Sequence, residues 1–94
     1  MAFANNTYVV VRTIHAGVHV GTLVDRRGSE VDLAHARRIW AWKGANTLHE
    51  IAISGVGSGS RVSKPVEAIT LIGVIEVIRA TPEARANLEA ATWA

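Results

Sequence analysis

The 94-residue sequence contains no cysteine. That excludes a disulfide framework and a thiolate metal site, and it fits a reducing compartment. No run approaches the roughly 20 consecutive apolar residues of a membrane span. The first residues carry neither the basic start nor the apolar stretch of a signal peptide, so a cytoplasmic protein with no membrane association is expected. Charge is also scarce: 19% of residues are charged against 49% hydrophobic, with a mean hydropathy of +0.20. A small monomer with a wholly wet surface does not need so much apolar material, which predicts a homo-oligomer. The length allows one domain, residues 1–94, near the size at which burial only just offsets chain entropy. There is no internal repeat.

Only five residues are aromatic, and three of them are tryptophan. Two of the three fall in residues 36–43, together with Arg37, Arg38 and Lys43. A cationic aromatic strip suits a flat anionic ligand, because indole faces stack on bases while guanidinium groups pair with phosphate. The net charge is only +2, but residues 1–43 hold six Lys/Arg against three Asp/Glu, whereas residues 44–94 hold four against five. The first half therefore carries the expected anion-binding face. A duplex binder usually has a broader basic footprint, so a compact anionic ligand is expected ahead of a long nucleic-acid track.

Residues 8–14 form a β-branched, unbroken run, and residues 18–24 alternate after Gly17, which predicts the two strands of a hairpin. Asp25 to Gly28 reads as a turn and Glu30 to Leu33 as a short third strand. Residues 35–43 fit a strand or a helix; Ile39, Trp40 and Trp42 favour the strand. Strand alternation places Arg38, Trp40 and Trp42 on one face and Arg37, Ile39, Ala41 and Lys43 on the other. Thr47 to Glu50 matches a capping box, so a helix of about two turns is expected before Gly55. Residues 55–60, rich in glycine and serine, read as a flexible loop. Residues 66–78 are apolar at both parities, which predicts a long central strand, buried on both faces or bent over a barrel corner at Gly73. Thr81-Pro82-Glu83 opens a second helix, with Ala84, Leu88 and Ala91 on its inner side and Trp93 as an anchor.

Other chemistry finds little support. His15, His19 and His35 lack acidic or thiolate ligands at matching spacing, so ordinary polar or titrating roles are expected rather than zinc. His49, beside Glu50, has no identifiable nucleophile to serve. The glycine-serine loop lacks the lysine-serine ending of a P-loop. Ser54, Ser58, Ser60 and Ser63 have no nucleophile-elbow context. No catalysis, cofactor or metal is expected.

Two resemblances follow from particular stretches. Gly17 to Val24, then a turn, then Val31 to Leu33 and Ala36 resemble the first half of Sm-like small β-barrels, which implies ring assembly and RNA or nucleotide binding at subunit junctions. Over nearly the whole chain, residues 8–13 with 16–19, Ala36-Arg37-Arg38-Ile39-Trp40 with Trp42, residues 44–48, 64–67, 73–76 and 80–83 resemble a family of short phage and prophage proteins. That resemblance implies a virion component, a nucleic-acid accessory protein or an inhibitor of host defence.

The sequence thus predicts a single α+β domain, a strongly bent antiparallel sheet or small Sm/SH3-like β-barrel with two short helices. It is expected to be a non-enzymatic homo-oligomer in the bacterial cytoplasm that sequesters a small anionic nucleotide, an anti-defence sponge. Trp40 and Trp42 would stack on the ligand while Arg37, Arg38 and Lys43 hold phosphate. Two alternatives stay open. In one, the indoles are core or subunit-interface residues of a virion structural or interaction protein, with the arginines packed around them or paired with Glu30 and Asp32. In the other, the chain forms an RNA-binding ring.

Overall fold

A computed structural model describes residues 4–91. Its β-branched segments become β1 (Tyr8–Thr13), β2 (Val18–Arg27), β3 (Glu30–Ala41), β4 (Arg61–Val62), β5 (Val66–Ile72) and β6 (Val74–Arg79). The two capped segments become α1 (Leu48–Ser54), between β3 and β4, and α2 (Pro82–Ala90), after β6. Every strand pair is antiparallel. The order is β4-β3-β2-β1-β6, and β5 also pairs with β3. This is the α+β fold with a bent antiparallel sheet and two short helices that the sequence predicts; the sheet curls but does not close into a barrel.

The segment after residue 66 is not central; the unbroken apolar strand inside the sheet is β1. It lies between β2 and β6, with Tyr8 and Val10 in one buried cluster and Val9 and Val11 in another. Residues 66–78 do bend at Gly73, whose φ of +76° is left-handed backbone that glycine adopts without strain. The bend splits them into β5, on the edge of β3, and β6, on the edge of β1. Most of their side chains stay at least partly exposed because each half has a neighbour on one side only.

The β2–β3 hairpin is longer than the sequence suggests. Pairing runs to Arg27↔Glu30, so the turn shrinks to Gly28-Ser29. Arg27 donates to Asp25 (2.8 Å) and Asp32 (2.9 Å), stitching the hairpin end that alternation alone reads as loop. The expected short third strand and the tryptophan segment are one strand, β3, interrupted by a bulge. Thr22 pairs with Ala34 and Val20 with Arg37, so His35 and Ala36 oppose the single residue Gly21, with His35 at φ +50°. Gly21 is required by this approach: a Cβ there would lie 3.0 Å from the Ala34 carbonyl oxygen and 3.1 Å from Ala36 Cα. The bulge also switches faces. Val31, Leu33 and Ala36 belong to one core cluster, whereas Ile39 belongs to the other.

Both helices begin at their expected caps. The Thr47 side chain accepts from the Glu50 N–H (3.3 Å), and the Glu50 carboxylate accepts from the Asn46 N–H (3.2 Å). Thr81 accepts from the Ala84 N–H (3.0 Å) and donates to the Ile53 carbonyl (2.6 Å), tying α2 to the end of α1. Ile51, Ala52 and Leu88 then fill the cluster over Tyr8, Val10, Val20 and Ile39. Residues 55–60 are pinned rather than free. The Gly57 N–H reaches the Lys43 carbonyl (2.7 Å), Ser60 Oγ donates to the Gly57 carbonyl (2.7 Å), and the Asn87 amide holds both backbone groups of Val56. The expected Trp93 anchor lies outside the described residues. Among the described residues no helix is long and apolar enough to cross a membrane.

A cleft over Trp42 as candidate binding site

The five residues of the expected site are not gathered into one pocket. Arg37 is buried, at 8% exposure. Its guanidinium donates to the carbonyls of Ser63 (2.7 Å), Leu88 (2.7 Å), Glu89 (3.2 Å) and Ala91 (2.5 Å). It therefore caps the C-terminal end of α2, where carbonyls lack helical partners and the helix dipole favours a cation. Arg38 is exposed on the opposite face, with its guanidinium against Gly17 and its charge acting on His19. Trp40 is 52% exposed, and the Arg61 guanidinium from β4 lies 5.2 Å from its ring centroid, a cation–π contact. Lys43 is exposed and extends along Gly59.

Trp42 breaks the expected alternation. The β3–β4 register shifts between Ile39 and Ala41, and β3 ends at Ala41, so residue 42 is no longer bound to the face of Trp40. Its ring packs against the cluster that contains Ile39 and Val62. From there it lines an open cleft of about 390 Å³, together with Arg12, Val18, Asn46, Thr47, Leu48, His49 and Glu76.

The strand register builds one side of this cleft. Arg12 pairs with Val18 of β2 and with Glu76 of β6, so the three side chains form a row across the sheet. Arg12 Nη1 lies 3.4 Å from Glu76 Oε1, a long contact between exposed groups. The first turn of α1 supplies the other side, held by its Thr47 cap. The cleft thus offers an indole, an aliphatic floor at Val18 and Leu48, and polar groups that either donate or accept.

The perturbed ionisable groups lie elsewhere. Burial first, then the charge of Glu89, pushes the Tyr8 hydroxyl up to about 12, so it stays protonated; among the described residues its oxygen has no hydrogen-bond partner. Burial and the Arg38 charge hold the His19 imidazole below its ordinary value, and its Nδ1 likewise has no partner among the described residues. Hydrogen bonds from Arg27 and Thr70 hold the Asp32 carboxyl low. Among the described residues no three His, Asp or Glu side chains converge as a metal site.

Residues 6–88 match the family model described as a domain of unknown function, DUF6948. The chain belongs to this family. Every residue lining the Trp42 cleft falls within the DUF6948 match. No curated protein and no solved structure matches the chain. Of the residues lining the cleft only Trp42 was among the expected site residues; Arg12 and Glu76 are the charged ones that the sequence reading missed. Each is an isolated charge within a mostly apolar run, of opposite sign to the other, and that is the signal that could have found them.

Proposed function

We propose that this DUF6948 protein binds a small nucleotide in the cleft over Trp42 and does not turn it over. The observation that carries this reading is the meeting, in one 390 Å³ cleft, of an indole with Arg12, Asn46 and His49. The volume falls in the roughly 300 to 1,000 Å³ range of small-molecule sites. Stacking on an indole contributes about 1 to 3 kcal/mol per base, and a guanidinium adds the phosphate contact. Arg37 has no part in the site, since its donors are committed to backbone carbonyls.

An open cleft alone gives modest affinity, so sequestration calls for enclosure by a second copy. Ile14 at 61% exposure and Ile72 at 66% flank the Gly73 corner, an apolar surface suited to such an assembly. With the resemblance to short phage proteins, this supports a homo-oligomeric sponge for a nucleotide immune signal in the host cytoplasm. A second reading, an interaction or virion structural protein, is favoured by the half-exposed Trp40 stacked on Arg61. An RNA-binding ring gains no support from a sheet that stays open.

A thermal-shift screen with mono-, di- and cyclic nucleotides tests the choice, because a saturating ligand raises the unfolding midpoint by mass action. The expected result is a shift that Arg12→Ala abolishes and Trp40→Ala retains. The reverse pattern would move the site to the Trp40 face, and no shift with any nucleotide would favour the interaction reading.

A further inference from the structure

We infer that the cleft over Trp42 selects guanine, with the Glu76 carboxylate reading the base; the inference rests on the nucleotide reading above. A carboxylate on the wall of an anion-binding cleft needs explanation, since it repels phosphate at close range. Glu76 and Arg12 serve different parts of the ligand if the carboxylate meets the base and the exposed Arg12 guanidinium leaves its long contact with Glu76 to meet the phosphate.

Glu76 has the capacity for this. Among the described residues its one hydrogen-bond partner is Arg12, through Oε1 at 3.4 Å. A carboxylate has about four lone-pair sites, so both oxygens can accept further donors. The bases differ in what they offer it. Guanine presents N1–H and the 2-amino group side by side, two donors at the spacing of two carboxylate oxygens. Adenine and cytosine each place an amino donor beside a ring-nitrogen acceptor, and uracil places one N–H between two carbonyls. A carboxylate facing any of these three meets an acceptor as well as a donor. Only guanine satisfies both oxygens, and a site built to hydrogen-bond two donors rejects analogues that lack them.

Placement agrees with this chemistry. Glu76 and Trp42 line the same cleft, so a base stacked on the indole can direct its edge to the carboxylate. Asn46 lines the same cleft, and its side-chain amide is available for the remaining edge. The strand register sets Glu76 beside Arg12 across β1 and β6, and the long contact between their exposed side chains leaves the carboxylate able to turn toward a base edge.

Isothermal titration of the full chain with GMP, IMP, AMP, CMP and UMP at one ionic strength tests the inference. IMP retains N1–H and lacks only the 2-amino group. GMP should bind at least about tenfold more tightly than AMP, CMP or UMP, with IMP between, the factor that one good bidentate base contact supplies. Glu76→Gln, an exposed substitution whose unfolding midpoint is checked in parallel, should reduce the preference to about twofold or less while AMP affinity hardly changes. Equal affinities for GMP and AMP on the unaltered protein would overturn guanine selection and leave nucleotide binding standing. A preference that survives Glu76→Gln would overturn the role of that carboxylate. No binding of any nucleotide would overturn both readings, and the GMP–IMP comparison needs no variant at all.

Discussion

Arg37 and Arg38 are neighbours with the same side chain and opposite fates. Arg37 points at four backbone carbonyls near the end of α2, whereas Arg38 faces outward. Sequence pattern shows two adjacent arginines on opposite faces of a strand but not which face receives a helix. The decisive partners, Leu88, Glu89 and Ala91, lie some fifty residues further along the chain. Arg37→Met keeps an apolar stem and removes every donor, so the buried Leu88 carbonyl and the part-buried carbonyls of Ser63, Glu89 and Ala91 lose it. It should cost at least about 2 kcal/mol in urea unfolding, while Arg38→Met stays within about 0.5 kcal/mol. His19 predicts a pH effect. Its folded value lies below the ordinary 6.5 because of burial and Arg38, so the unfolded chain takes up a proton before the folded one does. Stability should therefore fall as pH drops below 6.5 and level off once the folded value is passed. Urea midpoints measured from about pH 7 to about pH 5 should decline less in His19→Leu than in the unaltered protein.

Among the elements, the hairpin and both helix starts were legible because their signals are local. A β-branched run gives β1, alternation gives β2, and Thr47 and Thr81 supply caps three residues before the N–H groups they satisfy. The bulge at His35 was not legible, because it depends on which residue of β2 lies opposite. It separates Ala36 from Ile39 and thereby decides which side of β3 Trp40 faces. A second irregularity, at the end of β3, frees Trp42 to turn the other way. Gly21 holds the bulge in place. Gly21→Ala should destabilise by about 1 to 3 kcal/mol, because its methyl would meet backbone atoms that cannot rotate away. Chemical denaturation measures this, and an unchanged midpoint would show that the bulge can relax.

At the scale of the whole molecule, β1 divides two hydrophobic clusters, one under the helices and one inside the curl of the sheet. The sequence identifies an apolar excess but not where it surfaces. It surfaces at several places, and its two most exposed large side chains among the described residues, Ile14 and Ile72, flank the Gly73 bend, where the Ile14 N–H donates to the Gly73 carbonyl (2.9 Å). Light scattering should give a mass that is a multiple of 10.1 kDa. Ile72→Lys should lower that mass without unfolding the subunit, since its side chain is mostly exposed. A monomer before substitution would remove the case for enclosure by a second copy.

The central claim is that the ligand site lies over Trp42, between the Arg12–Glu76 row and the first turn of α1. Amide chemical-shift mapping during a titration with GMP tests it most directly. The account predicts perturbations concentrated at Arg12, Val18, Trp42, Asn46 to His49 and Glu76. Perturbations centred on Arg38, Trp40 and Arg61, or none at saturating nucleotide, would contradict it.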